Sequence, residues 1–184
     1  GHLISGQTLY LKLRDGNVID DLFITNQAGR VAGGLKMANG TNSRREPPFP
    51  GTRAKSAALV REKFVAAQDY RAKIARAKGD ADKLPARDLA LETLVEVLEG
   101  KRLVHCHSYR ADEILMMIRL ADEMGFKVAT FQHVLEGFRV AKEMAAHGAG
   151  GSTFSDWWGY KVEASDATPY NAAIMHRKGV LVSI

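Results

Sequence analysis

Two histidines at the ends of consecutive predicted strands could together hold a metal ion. His105 follows the apolar pair Leu103 and Val104, and His133 ends the segment that begins at Lys127. A predicted amphipathic helix comes after each of these strands. Neutral imidazole nitrogens are common ligands of Zn²⁺ and similar divalent ions. We therefore predict that His105 and His133 lie at the same relative height and form a metal site, with a hydrogen-bonded core histidine as the alternative for each.

Further candidates lie close to these strands or follow a later one. His107 is two residues beyond His105 on the same strand face, and we predict that it contacts substrate or orients a ligand; a residue at the helix start is the alternative. Lys36 belongs to a short apolar segment and either points into the site or extends to solvent. Trp157 and Tyr160 belong to an aromatic loop that is predicted to form a pocket wall, or else a hydrophobic lid over the core.

The alternation of strands and helices predicts an α/β fold with a parallel sheet. Apolar segments in the second half predict strands at 102–107, 127–132, 152–155 and 180–184. Helical patterns lie between them, which is typical of right-handed βαβ units. Earlier in the chain we predict strands at 7–13 and 18–25 and helices at 57–78 and 87–98. Because carboxyl ends of parallel strands meet at one edge, the chemistry is expected there.

Composition limits the classes of partner. The chain has 184 residues, enough for one domain, and a formal net charge of +5. The basic excess lies mainly within residues 44–87 and forms no basic stripe interleaved with aromatic residues, so we predict a solvated helix face and no nucleic-acid partner. No segment approaches the roughly 20 apolar residues that span a membrane, so no membrane partner is expected. The single cysteine, Cys106, excludes an internal disulfide and is predicted to be a small buried residue.

Four segments of the second half resemble a metal-dependent amidohydrolase, in particular its imidazolonepropionase-like and prolidase-like branch. The motifs are Val-His-Cys-His-Ser-Tyr-Arg-Ala-Asp-Glu, Phe-Gln-His-Val-Leu-Glu-Gly, Ser-Asp-Trp-Trp-Gly-Tyr-Lys-Val-Glu-Ala and Pro-Tyr-Asn-Ala-Ala-Ile-Met-His, at 104–113, 131–137, 155–164 and 169–176. The resemblance implies part of a TIM (β/α)8 barrel, about strands 3 to 8 with their helices, as one partial domain over residues 1–184.

The resemblance also implies roles for single residues. His105 takes the place of the strand-5 metal ligand and His133 that of the strand-6 ligand. Lys36 resembles the strand-4 lysine that, when carboxylated, bridges two metal ions in some branches. The implied cofactor is one or two divalent ions, with zinc expected. The implied reaction is hydrolysis of a C–N bond in an amide, a cyclic amide or a related small-molecule or peptide-like substrate by metal-activated water.

Two departures from the family pattern shape these expectations. The His-x-His pair of strand 1 is absent, and the aspartate of strand 8 would follow Ile184. We therefore expect a fragment of a longer enzyme, weak or inactive by itself, whose parent is cytoplasmic, periplasmic or secreted. A non-catalytic binding or scaffold protein derived from a barrel is one alternative. An oligomer that completes its barrel from another chain is a second, and a homo-oligomer is expected because an open sheet exposes its edges.

Overall fold

The computed structural model describes residues 2–44, 50–155 and 158–184. Within this described part, six strands form one sheet in sequential order. They are β1 (Ile4–Leu9), β2 (Gly33–Ala38), β3 (Leu103–His107), β4 (Val128–Gln132), β5 (Gly150–Ser152) and β6 (Val182–Ser183). Strands β2 to β6 pair in parallel, whereas β1 is antiparallel to β2. The prediction of an α/β fold with a mostly parallel sheet is confirmed.

The described residues form five α-helices, and local capping explains where several of them begin and end. The helices are α1 (Arg53–Ala77), α2 (Leu89–Leu98), α3 (Ala111–Met124), α4 (Ala141–His147) and α5 (Asn171–Arg177). The side chain of Thr52 accepts a hydrogen bond at the start of α1, and that of Asp88 accepts two at the start of α2. Gly125 ends α3 with a φ of 82°. Such caps satisfy backbone groups that have no partner inside the helix.

Several predicted boundaries are wrong, mainly in the first 32 residues. Residues 18–25 contain a short 3₁₀ helix, Ile19–Leu22, and isolated bridges in place of a strand. β1 ends at Leu9, so the strand predicted at 7–13 begins and ends earlier. The helical pattern predicted after the strand at 127–132 is divided into a 3₁₀ turn and the shorter α4, and the strand predicted at 152–155 lies earlier, at Gly150–Ser152. Because no α-helix connects β1 to β2, β1 is not part of a strand–helix unit.

The two faces of the sheet have different chemistry. One face carries fully buried apolar side chains that join the main core with α1 and α3: Leu35, Met37, Val104, Cys106 and Phe131. Alternation along the strands places Lys36, His105 and Gln132 on the opposite face. In the core, the Phe64 and Phe126 rings stack with centroids 4.2 Å apart. Among the described helices, none is both long and apolar enough to cross a membrane.

Candidate metal and substrate site

The strand register decides which candidate histidines lie at the same level. His105 of β3 lies opposite Thr130 of β4, and His107 lies opposite Gln132. His133 directly follows Gln132, so it lies beyond the level of His107 rather than at the level of His105. The predicted equal height of His105 and His133 is therefore wrong. The register between the two strands shifts by one residue just before His105, and no sequence pattern marks that shift.

The rings of His107 and His133 meet at the carboxyl end of β3 and β4. Their centroids are 5.2 Å apart, and Tyr109 adds a third ring, 4.6 Å from that of His107. The ring of Phe154 stacks on that of His133, with centroids 5.4 Å apart. The side-chain nitrogen of Asn42 lies 2.8 Å from Nε2 of His107. Sequence reasoning missed Tyr109 and Asn42, because only tertiary structure brings the segments after β2 and β3 together.

His133 has an unusual backbone conformation. Its φ is +59°, in the left-handed region that residues other than glycine seldom adopt. Its carbonyl oxygen accepts a 2.7 Å hydrogen bond from the nitrogen of Leu135. Strained backbone of this kind is concentrated at functional sites, where the surrounding contacts hold it in place. The conformation turns the chain immediately after β4, at the position of the proposed ligand.

The two ring nitrogens of His105 differ in their contacts with the described residues. Its Nε2 lies 2.5 Å from the hydroxyl oxygen of Tyr10. Its Nδ1 is buried and has no hydrogen-bond partner among the described residues. If Nε2–H donates to the Tyr10 oxygen, the lone pair of Nδ1 remains for another ligand. Tyr10 was not predicted as a site residue, because residues 10–32 fold back onto the sheet without any local signal for that contact.

Lys36 lies on the polar face of the sheet beside the histidine strands. It is opposite His105 in the register, and its Nζ donates a 2.7 Å hydrogen bond to Oε1 of Gln132. Burial lowers the pKa of the Lys36 ammonium. The Lys36 side chain therefore extends across β3 to β4. Its role as a metal ligand stays a prediction.

The histidines are held in the protonation state that metal binding requires. Burial lowers the pKa of His107 to about 4, and the neighbouring His133 adds to this effect. Burial first, and the charge of Lys36 second, also lower the pKa values of His105 and His133. All three imidazoles are therefore neutral near pH 7, with lone pairs available to a divalent ion.

The donor chemistry suits a divalent ion, but the described residues do not supply a complete set. Among them, no group of three or more His, Cys, Asp or Glu side chains is arranged to hold a metal. Cys106 is fully buried, and burial raises the pKa of its thiol to about 12, so it is the inert residue that was predicted. The assignment of His105, His133 and Lys36 as metal ligands remains a prediction.

The predicted aromatic loop reaches the histidine cluster through Tyr160. Its hydroxyl oxygen lies 3.3 Å from that of Tyr109, whose ring contacts His107. Lys161 places its Nζ 4.3 Å from the centroid of the Tyr109 ring. Tyr160 is thus next to the proposed substrate contacts, while Trp157 lies outside the described residues.

Comparison with known proteins supports an amidohydrolase-like structure. A scan against protein-family models and a search of curated proteins gave no match. A search of solved structures found the crystal structure of an amidohydrolase from Thermotoga maritima MSB8, with 28% sequence identity and a TM-score of 0.85. The match covers 100% of this chain and 48% of that chain, so this chain spans about half the length of the matched protein.

Proposed function

We propose that this chain is part of a metal-dependent amidohydrolase that hydrolyses a C–N bond in an amide, a cyclic amide or a related substrate. The observation that carries the proposal is the cluster of neutral imidazoles at the carboxyl edge of a parallel sheet. Active sites of α/β proteins occur at that edge. The likeness to an amidohydrolase over the whole chain supports C–N bond hydrolysis as the reaction at this cluster.

We also propose that the parallel strands β2 to β6 form an arc of a (β/α)8 barrel. The connections from β2 to β6 contain α-helices, as in barrel units, and the sheet follows the chain order. Because β1 is antiparallel to β2, the proposed arc contains only the five strands β2 to β6. The expectation of six barrel strands, about strands 3 to 8, is therefore not extended to β1. The imidazolonepropionase-like or prolidase-like branch is proposed on the sequence motifs alone.

In this proposal His105 and His133 bind the divalent metal, and Lys36 contributes when it is carboxylated. A bound zinc or similar ion supplies Lewis-acid polarisation of the scissile carbonyl and lowers the pKa of water. His105 offers its unpartnered Nδ1. His107 and Tyr160 are proposed to contact the small-molecule or peptide-like substrate from the aromatic cluster. Trp157 is included among the substrate contacts on the basis of the sequence.

Titration with Zn²⁺ by calorimetry tests the ligand assignment. We expect weak binding by the 184-residue chain, because the described residues supply an incomplete set of ligands. His105→Ala and His133→Ala should each abolish it. His176→Ala is the matched control, since that histidine is exposed on α5. Equal zinc binding by all four proteins would refute the assignment. Tight, stoichiometric zinc binding together with amide hydrolysis would refute the expectation that the chain supplies an incomplete set of metal ligands.

Two alternatives are supported by separate observations. The lack of a three-residue metal group among the described residues favours a non-catalytic binding or scaffold protein. The exposed apolar side chains of Leu181 and Ile184 beside edge strand β6 favour a homo-oligomer. Metal analysis of a longer chain that includes more of the barrel addresses the first alternative. Light scattering of the purified chain addresses the second, because a monomer would exclude it.

A further inference from the structure

A cavity of about 790 Å³ opens at the carboxyl edge of the sheet, next to the histidine cluster. The segments that follow four successive strands, β2 to β5, line it. Its volume lies in the range typical of small-molecule sites. The described lining includes neither Lys36 nor any of the three candidate histidines. The cavity therefore adjoins the histidine cluster without including the candidate metal ligands.

The carboxylates that line the cavity are already paired with basic side chains. Each of the four in the described lining has a basic nitrogen within 4 Å: Asp112 has Arg110, Glu136 and Asp166 share Arg139, and Glu163 has Lys161. Glu136 also accepts a 2.9 Å hydrogen bond from the nitrogen of Ala111 at the start of α3. The negative charge of each of these acids is therefore already opposed by a basic side chain.

Two arginines in the lining retain unused donors. The side chain of Arg44 makes no hydrogen bond or ion pair with any described residue. Arg53 uses only its Nε, which donates a 2.6 Å hydrogen bond to Glu113, so its two terminal nitrogens make none within the described part of the chain. Arg44 and Arg53 thus give the cavity positively charged donors that no described acid uses. Guanidinium groups of this kind suit carboxylate and phosphate.

Arg53 is held in position before any ligand arrives. The side chain of Glu113, to which it bonds, is 2% exposed and packs from α3 against Gly40 in the turn after β2. A guanidinium that is fixed by a buried partner loses less conformational entropy when it binds a ligand. Arg44 completes the pair from the segment that follows β2.

We propose that this cavity binds an anionic group, a carboxylate or a phosphate, through Arg44 and the terminal nitrogens of Arg53. The inference rests on the proposed function and adds to it a substrate class, an amide that carries an anionic substituent. Asn42 lines the cavity and also contacts Nε2 of His107. Lys161 lines it and lies over the Tyr109 ring. The anionic group would therefore be held on one side while the rest of the substrate extends toward the histidines.

Calorimetry on the full chain at low salt tests this with three probes: N-acetylglycine, its neutral amide N-acetylglycinamide, and inorganic phosphate. We expect at least one anion to bind and the neutral amide not to bind. Arg44→Gln should weaken anion binding about 10- to 100-fold, the usual effect of losing a charge-assisted hydrogen bond. Arg61→Gln is the control and should leave it unchanged, because Arg61 pairs with Glu123 outside the cavity.

The comparison of the two anions identifies the ligand chemistry. Binding of N-acetylglycine alone assigns a carboxylate site, and binding of phosphate alone assigns a phosphate site. Equal binding of the neutral amide, no binding of either anion, or an unchanged affinity in Arg44→Gln overturns the proposal. Arg53→Lys gives a second test, because the lysine keeps a charge near Glu113 but loses the terminal guanidinium donors.

The readout also separates this inference from the proposed function. Calorimetry measures anion binding without any turnover. Anion binding that depends on Arg44, in a protein that shows no C–N hydrolysis in a longer chain, would refute the function and keep the site. Hydrolysis of neutral and anionic amides at equal rates would keep the function and overturn the site.

Discussion

Replacing Gly40 with alanine should destabilise the turn that follows β2 far more than its backbone conformation alone requires. Gly40 has a φ of +69°, and a Cβ built there would lie 2.7 Å from Oε2 and 2.9 Å from Oε1 of Glu113. The buried carboxylate would have to move, which would weaken its 2.6 Å hydrogen bond from Nε of Arg53. The same turn carries Asn42 to His107.

The expected cost has two parts. An alanine in the left-handed region costs about 1–2 kcal/mol relative to glycine. Loss or lengthening of a charge-assisted hydrogen bond to a buried carboxylate costs about 1.5–3 kcal/mol. We therefore expect Gly40→Ala to lower the free energy of unfolding by about 3–5 kcal/mol, since both parts act at one position.

Gly100→Ala is the matched control for this experiment. Gly100 has the same φ of +69°, but a Cβ there would meet nothing within 4 Å. Its variant should lose only the conformational part, about 1–2 kcal/mol. Urea unfolding followed by circular dichroism measures both free energies. If the two variants lose equal stability, the contact between Gly40 and Glu113 does not have the energetic role described here.

The remaining predictions concern a buried histidine and the core. Nε2 of His147 accepts a hydrogen bond from the backbone nitrogen of Val128, and burial lowers the pKa of this histidine. The unfolded chain therefore binds a proton at His147 more tightly than the folded chain does. The stability that neutral His147 contributes is complete above the pKa of this histidine in the unfolded chain and is lost as the pH falls below that value. When the pH is lowered from 8 to 5, the free energy of unfolding measured in urea should fall more in the wild-type protein than in His147→Gln. Equal losses would exclude this role of His147. Phe64→Ala should lower the free energy of unfolding by about 3–5 kcal/mol, and Val65→Ala, on the exposed side of the same helix, should lower it much less. Similar losses for the two variants in thermal unfolding would contradict the core assignment.

Local sequence patterns determined β3, β4, α2 and α3 closely, but not β5, which was predicted at 152–155 and lies at Gly150–Ser152. β3, which contains His105, and β4, which ends just before His133, were predicted within about one residue of their observed bounds. Their alternation with helices also predicted a parallel sheet, because short βαβ connections allow few other arrangements. The start of α2 follows from the capping side chain of Asp88, and the ends of α2 and α3 are followed by Gly100 and Gly125 in the left-handed region.

Relations between distant segments could not be predicted in this way. The register that places His105 opposite Thr130, three residues before His133, is set by packing between strands, to which single-strand periodicity is insensitive. Tyr10 joins the site only because the segment after β1 folds back onto the sheet.

The sequence by itself thus determined which residue types stand at the carboxyl ends of the strands, since period and composition are local properties. Only the tertiary structure decided which of these residues touch. It brought the ring of His107, not of His105, against His133, and it left Arg44 and Arg53 with unused donors in a common cavity. The physical reason is that hydrogen-bond satisfaction and burial depend on neighbours far apart in the chain, whose positions are set by packing of the whole sheet.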